Sequence, residues 1–351
     1  MIRSTGVLLG LAALTVLLFV LAVASGTVAI APGETVRALL GTGAGPLDAL
    51  IRTIRVPRAI TALLVGAALA AAGLLMQTLF RNPLADPYVL GVSAGASLGV
   101  ALYIVASSSA MVGAAGLAAG FGAGLVGIGR LGSVVAAGLG AGGVLALVLL
   151  LSRWVRSSVT LLVMGVMLGS ATTAVVSLIV VWNDPRTAQQ FLIWGLGSVD
   201  GVAWPDLTIF APITGCALLA TLLLVKPLDA LLLGDDYARS MGAHVRRIRG
   251  TVMGVAAVLA GVVTAFCGPV GFLGIAVPHL ARVLIGSSSH RLLVPTTLLS
   301  GAVAGLGCAI AGHPPGLGTV IPLNVVTSLI GAPVVIAVLL RSRRLAAGAG
   351  L

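Results

Sequence analysis

The chain has 351 residues, 59% of them hydrophobic and 8% charged, whereas soluble domains carry about a quarter charged residues. This excludes a water-soluble enzyme and makes lipid the solvent. The formal charge of +11 does not indicate nucleic acid, because the basic residues are scattered at segment ends and aromatics are only 4% of the chain, too few for a base-stacking platform.

Apolar runs of about 17–25 residues predict spans near 6–30, 59–80, 88–106, 131–151, 159–182, 207–225, 249–266, 270–286, 292–312 and 320–340. The expected fold class is all-α, a polytopic membrane helical bundle of about ten transmembrane helices forming a single domain over residues 1–351. The first run, with Arg3 ahead of it and Ala22-Val23-Ala24 inside it, has the form of a cleaved secretory signal or of an uncleaved first span. Nine apolar segments follow, so an anchor is expected. With the amino terminus in the cytoplasm, 14 of the 20 basic residues fall on inner segments, among them Arg81, Lys226, Arg239, Arg246, Arg247, Arg249, Arg282 and Arg291. Arg37, Arg52, Arg55, Arg58, Arg130 and Arg186 remain outside, and the positive-inside rule favours this arrangement, with both termini cytoplasmic.

Three of the outer arginines gather at the mouth of the second span, where Arg55 and Arg58 flank Val56-Pro57 and Arg52 is close by. Such charge suits lipid headgroups or the carboxylates of an extracellular protein. Gly91, Gly95 and Gly99 make overlapping small-xxx-small repeats, read as a close-packed helix face. The Gly-rich stretch 107–130 is assigned to the outer face as a re-entrant or surface segment, because one extra span there would leave only four basic residues inside. Gly138, Gly140 and Gly143 fit G-x-G-x-x-G, but no strand precedes them and the run lies within a span, so helix packing replaces dinucleotide binding. Trp154 and Trp182 bracket the fifth span as interfacial anchors. The outer stretch 183–206, with Asp184, Arg186 and Asp200 among Phe191, Leu192, Ile193, Trp194 and Trp204, is expected to hold a short interfacial helix.

The longest polar excursion on the inner side is 226–249. Its pattern suggests two short helices hinged at Gly242, with Leu231, Leu232 and Leu233 beside Asp235, Asp236, Arg239 and His244. An ordinary solvated loop does not need a leucine patch, so a docking element is favoured. Residues 70–95 and 259–282 each run from a small-residue helix through a Pro/Gly break into another helix. In the predicted topology the two are inverted repeats, as in many transporters.

No span centre carries Asp, Glu, Lys or Arg on these boundaries, and the single lysine, Lys226, lies in no phosphate-binding loop. A transporter of this kind draws its energy from a partner. The rival class is an ion-coupled secondary carrier or channel. His244, His279, His290 and His313 are isolated, and Cys216, Cys267 and Cys308 are scattered in apolar sequence, so no metal site, disulfide frame or hydrolytic constellation is expected.

The stretches RVPRAITALLVGAALAAAGLLMQTLFRNPLADPYVLGVSAGASLG (55–99), LLLGDDYARSMGAHVRRIR (231–249), GPVGFLGIAVPHLARVLIG (268–286) and VVTSLIGAPVVIAVLLR (325–341) together resemble the FecCD family, permease subunits of ABC importers for iron-siderophores, haem and cobalamin. The resemblance implies a cobalamin-importer-permease-like subunit of the plasma (inner) membrane, dimerising with itself or with a paralogous permease. ABC ATPase subunits lie below and an extracytoplasmic substrate-binding protein above. It also implies that this chain binds no cofactor, ATP and Mg belonging to the ATPase. It carries ATPase coupling onto Leu233, Gly234, Asp235, Arg239, Gly242, Ala243 and His244, binding-protein docking onto Arg55 and Arg58, and the translocation pathway onto Gly91, Ser93 and Gly95. An iron(III)-siderophore is the expected cargo, with haem and cobalamin as alternatives. Two departures stand out. HPPGLGTVIP (313–322) lacks the family's basic docking residue, leaving His313 as a weak substitute, and 107–130 is longer than the usual connection.

Overall fold

The computed structural model describes residues 2–348, apart from 27, 29, 42–44, 111–127, 153, 156–157, 243 and 315–318. Among the described residues all regular structure is helical. Seven helices among the described residues are long and apolar enough to cross a membrane: Ser4–Ala24, Pro46–Phe80, Leu131–Leu151, Thr160–Val181, Trp204–Leu223, Val245–Cys267 and His290–Ala311. Three shorter apolar helices, Val92–Ala106, Leu273–Ile285 and Leu323–Ala337, complete the expected series in order. The first span stops at Ala24 rather than near residue 30. Most of the stretch 107–130 lies outside the described residues.

In chain order the helices are α1 (Ile2–Ala24), α2 (Pro32–Leu39), α3 (Pro46–Leu50), α4 (Val56–Phe80), α5 (Val92–Ala110), α6 (Ile128–Leu151), α7 (Ser158–Val181), α8 (Pro185–Gly195), α9 (Trp204–Leu223), α10 (Val225–Leu232), α11 (Asp235–Ser240), α12 (Val245–Cys267), α13 (Leu273–Ile285), α14 (His290–Ala311) and α15 (Leu323–Gly348). A π-turn, Ile51–Arg55, joins α3 to α4. Because α4 is built from Ala, Gly and Leu it can sit among other helices on all sides, and 83% of its apolar window is buried against 11% for α1 and 17% for α7. Gly66 of α4 lies against the backbone of Gly301 and Gly305 in α14, and Gly73 against Gly274 in α13. A Cβ at Gly66 or Gly73 would overlap the facing carbonyl, so these contacts are backbone to backbone, the arrangement small residues permit in membranes.

Both helix-break-helix units of the expected repeat are present and they adjoin. In the first, α4 closes on Arg81 in the left-handed region (φ 47°), and the chain passes through a 3-10 turn, Pro87–Leu90, into α5. In the second, α12 ends at Gly268 (φ 75°) and Phe272 (φ 67°) precedes α13. The Tyr88 hydroxyl lies 3.3 Å from the Val270 amide, which donates to it, and 3.4 Å from the Thr264 hydroxyl. Gln77 donates to the carbonyls of Gly274 and Ile275 at 3.2 Å each and accepts from Arg282 at 2.7 Å.

Contacts at the opposite ends of α4 define two ends of the bundle. The Arg55 end gathers the carboxyl terminus of α1, α2, α3 and the start of α4. The His290 end gathers the close of α4, α10, α11 and the start of α14. Trp154 and Trp182, 72% and 77% exposed, flank α7 at opposite ends.

Candidate functional site

At the Arg55 end, α1 leaves its last carbonyls without intrahelical donors. Arg55 fills that gap, donating Nη1 to Val23 (3.3 Å) and Ala24 (2.7 Å) and Nη2 to Val28. Arg58 donates Nη2 to Ala22 (2.8 Å) and Ser25. The cations also sit favourably at a helix carboxyl terminus. Gly26 makes room for them, since a Cβ there would stand 2.9 Å from Arg55 Nη2. Arg55 and Arg58 are consequently only 4% and 5% exposed. This corrects the picture of an outward-facing pair: Arg52 keeps the exposed guanidinium, 47% exposed, paired with Asp48 at 3.1 Å.

Asp200 joins this end together. Its Oδ1 stands 3.8 Å from Arg58 Nη1 and 2.9 Å from His313 Nε2, and its Oδ2 accepts from Ser198 Oγ at 3.1 Å. His313 Nδ1 lies 2.9 Å from the Ala309 carbonyl. A carboxylate and a carbonyl only accept, so each ring nitrogen of His313 faces an acceptor. Burial disfavours the ionised Asp200, but the hydrogen bond and charge of His313, the charge of Arg58 and the Ser198 hydroxyl outweigh it and hold the carboxyl below its ordinary range. Sequence reading left His313 and Asp200 as unrelated residues, although they are contact partners. The interfacial helix expected within 183–206 is α8, capped by Asp184 and exposing Leu192 and Ile193 at 65% and 59%.

At the His290 end the expected docking element is two short helices, α10 and α11. They bend at Gly234 (φ 111°), and Gly242 (φ 80°) instead separates α11 from α12. The hinge assigned to Gly242 therefore moves to Gly234, because the left-handed break falls where α10 ends. Leu228 and Leu231 are buried at 0% and 3%, whereas Leu232, Leu233, Tyr237 and Met241 are 42%, 63%, 53% and 54% exposed. Arg239 pairs with Asp236 at 2.8 Å. Arg239, Gly242 and His244 are exposed and Gly234 half-buried; Ala243 and the side chain of Asp235 lie outside the described residues.

Of the pathway candidates, Gly91 and Gly95 are buried. A Cβ on Gly91 would meet Val144 at 3.1 Å, and one on Gly95 would overlap the Gly140 carbonyl. Both pack closely between helices, and Ser93 is half-buried. Gly99 packs likewise on Ala136. Among the described residues no group of three metal-ligating side chains occurs.

Sequence reading missed three further contacts. His290, expected to be isolated, touches Asp229 and Thr78, and Arg81 donates to the Leu231 carbonyl at 3.0 Å. A histidine just ahead of a long apolar run was the signal available. Its partners are 61 and 212 residues away.

Residues 14–341 match the FecCD transport family. The chain belongs to the FecCD transport family. Similar relatives include the vitamin B12 import system permease protein BtuC of Klebsiella pneumoniae subsp. pneumoniae, 35% identical over 97% of this chain and 95% of the relative. The hemin transport system permease protein HmuU of Yersinia pestis is 34% identical over 84% of each chain. Among solved structures, a metal-chelate type ABC transporter in an inward-facing conformation superposes with a TM-score of 0.82 at 28% identity, over 96% of this chain and 99% of the other. The FecCD motifs quoted above map onto the two ends of the bundle and its core: 55–99 builds α4, the first break and the start of α5, 231–249 builds the α10–α12 corner, 268–286 the second break with α13, and 325–341 part of α15.

Proposed function

We propose that this chain is the membrane-spanning permease subunit of an ABC importer, moving an iron(III)-siderophore or a related metal chelate across the plasma membrane under power from separate ATPase subunits. Haem and cobalamin are the alternative cargoes, and the names of two relatives point to these. The carrying observation is similarity to importer permeases along nearly the whole chain, joined to an apolar knob at the His290 end. There Leu232, Leu233, Tyr237 and Met241 are exposed beside the Asp236–Arg239 pair, a combination suited to a protein partner. That end is assigned to the cytoplasm, with both chain termini, because it collects the greater share of basic residues.

The binding protein is assigned to the Arg55 end. Arg52 offers exposed charge there, while Arg55 and Arg58 hold the receiving surface by fastening α1 to α4. A dimer of permeases, of two identical chains or two paralogues, would enclose the pathway. The chain performs no bond chemistry; hydrolysis of ATP with Mg belongs to the partner.

Reconstitution tests the reading. The chain co-expressed with its ATPase and binding protein should take up a radiolabelled chelate into proteoliposomes only when ATP is enclosed with the ATPase. Gradient-driven uptake by the chain alone would assign it to the secondary carriers instead.

A further inference from the structure

Two contacts fasten α10 to the buried core at the His290 end. Asp229 Oδ1 accepts from the backbone N–H of His290 at 2.9 Å and lies 2.8 Å from its Nδ1, while His290 Nε2 lies 2.9 Å from Thr78 Oγ1. Arg81 Nη2 donates to the Leu231 carbonyl at 3.0 Å. His290 itself is 1% exposed. An ionised carboxylate only accepts, so a ring proton sits on Nδ1, and in the neutral ring Nε2 accepts from the Thr78 hydroxyl. The chain of contacts runs unbroken from α10 through the first residue of α14 to the last turns of α4.

The location matters more than the bonds singly. α10 has eight residues and bends away at Gly234 into the exposed knob, so its hold on the bundle is local. Leu228 and Leu231 supply apolar contact, which is non-directional; the bonds to Asp229 and Leu231 fix its register. Thr78 and Arg81 belong to the end of the most buried helix, and the other end of that helix carries Arg55 and Arg58, clamped on α1. Backbone contact at Gly66, Gly301 and Gly305 makes α4 and α14 one closely packed pair, and His290 opens the second of them.

We propose that Thr78 and His290, bridged to Asp229 and flanked by Arg81, are positioning residues that pass displacement of the ATPase-contacting segment to the α4–α14 pair, and through α4 to the Arg55 end. This rests on the importer reading above. In the assembled importer, replacing Thr78 with valine keeps the side-chain shape and removes the hydroxyl. It removes the bond from α4 to His290 while leaving the Arg81–Leu231 bond and the exposed knob untouched.

The test uses the complete importer, permease with ATPase and binding protein, in proteoliposomes offered ferric ferrichrome, haemin and cyanocobalamin separately as radiolabelled probes. Thr78→Val and His290→Gln should assemble and hydrolyse ATP at the wild-type basal rate, yet deliver about fivefold less probe per ATP. Thr78→Ser, which restores the hydroxyl, should recover the wild-type ratio. A wild-type ratio in Thr78→Val overturns the relay, as does a parallel fall of assembly, hydrolysis and uptake, which marks a packing contact. If the wild-type importer carries none of the three probes under ATP, or carries one without the ATPase, the importer reading has failed and the relay, with nothing to couple, falls with it.

Discussion

A guanidinium group has five N–H donors and no acceptor, so an arginine withdrawn from water must find carbonyls or carboxylates. Arg55 and Arg58 find five carbonyls, three in the last turn of α1 and those of Ser25 and Val28 just beyond it, and Arg58 also faces Asp200. Their place at the mouth of a span was legible in the sequence; their burial was not, since it depends on where the carboxyl terminus of α1 comes to rest some thirty residues earlier in the chain. Asp200 gives this clamp a pH signature. Its carboxyl is held below the ordinary range, so its contribution to stability is present above the unfolded value near ~3.9 and is lost as pH falls through the lower native value. Asp200→Asn is expected to cost about 1–3 kcal/mol at neutral pH. Thermal unfolding in detergent should show the gap between wild type and variant narrowing as the pH is lowered below the ordinary carboxylate range; an equal gap at neutral and acid pH would remove Asp200 from the clamp.

Helices in this bundle are specified by small residues whose individual importance differs. Gly66 and Gly138 look alike in sequence, each mid-helix in an apolar run. A Cβ at Gly66 overlaps the Gly301 carbonyl, while nothing lies within 4 Å of one at Gly138. Gly66→Leu should therefore prevent α4 and α14 from closing and abolish the monodisperse peak in size-exclusion chromatography. Gly138→Leu should elute like the wild type. Matching behaviour of the two would mean that helix contact in this region is not set by backbone approach. The same limit explains Gly234 and Gly242. Both adopt the left-handed conformation, and the sequence marks two glycine breaks without telling which separates the short helices.

At the scale of the whole molecule, the corner between α9 and α12 turns Leu228 and Leu231 inward and Leu232, Leu233, Tyr237 and Met241 outward. Leu233→Glu combined with Tyr237→Glu should cut co-purification of the ATPase about tenfold or more, a loss on the order of 1.4 kcal/mol in affinity or greater. The melting temperature of the permease alone should stay unchanged, because neither side chain is buried. Undiminished co-purification would place the ATPase elsewhere. The order of the spans, the two polar corners and the segregation of basic residues were written in the sequence, because length, hydropathy and charge are local properties that the bilayer reads segment by segment. Only the tertiary structure decided that Arg55 and Arg58 turn inward, that Gly95 meets Gly140 rather than another small residue, and that His290 joins Thr78 to Asp229. Each of these depends on atoms brought together from distant segments, and an apolar helix of small residues does not specify by itself which face meets which neighbour.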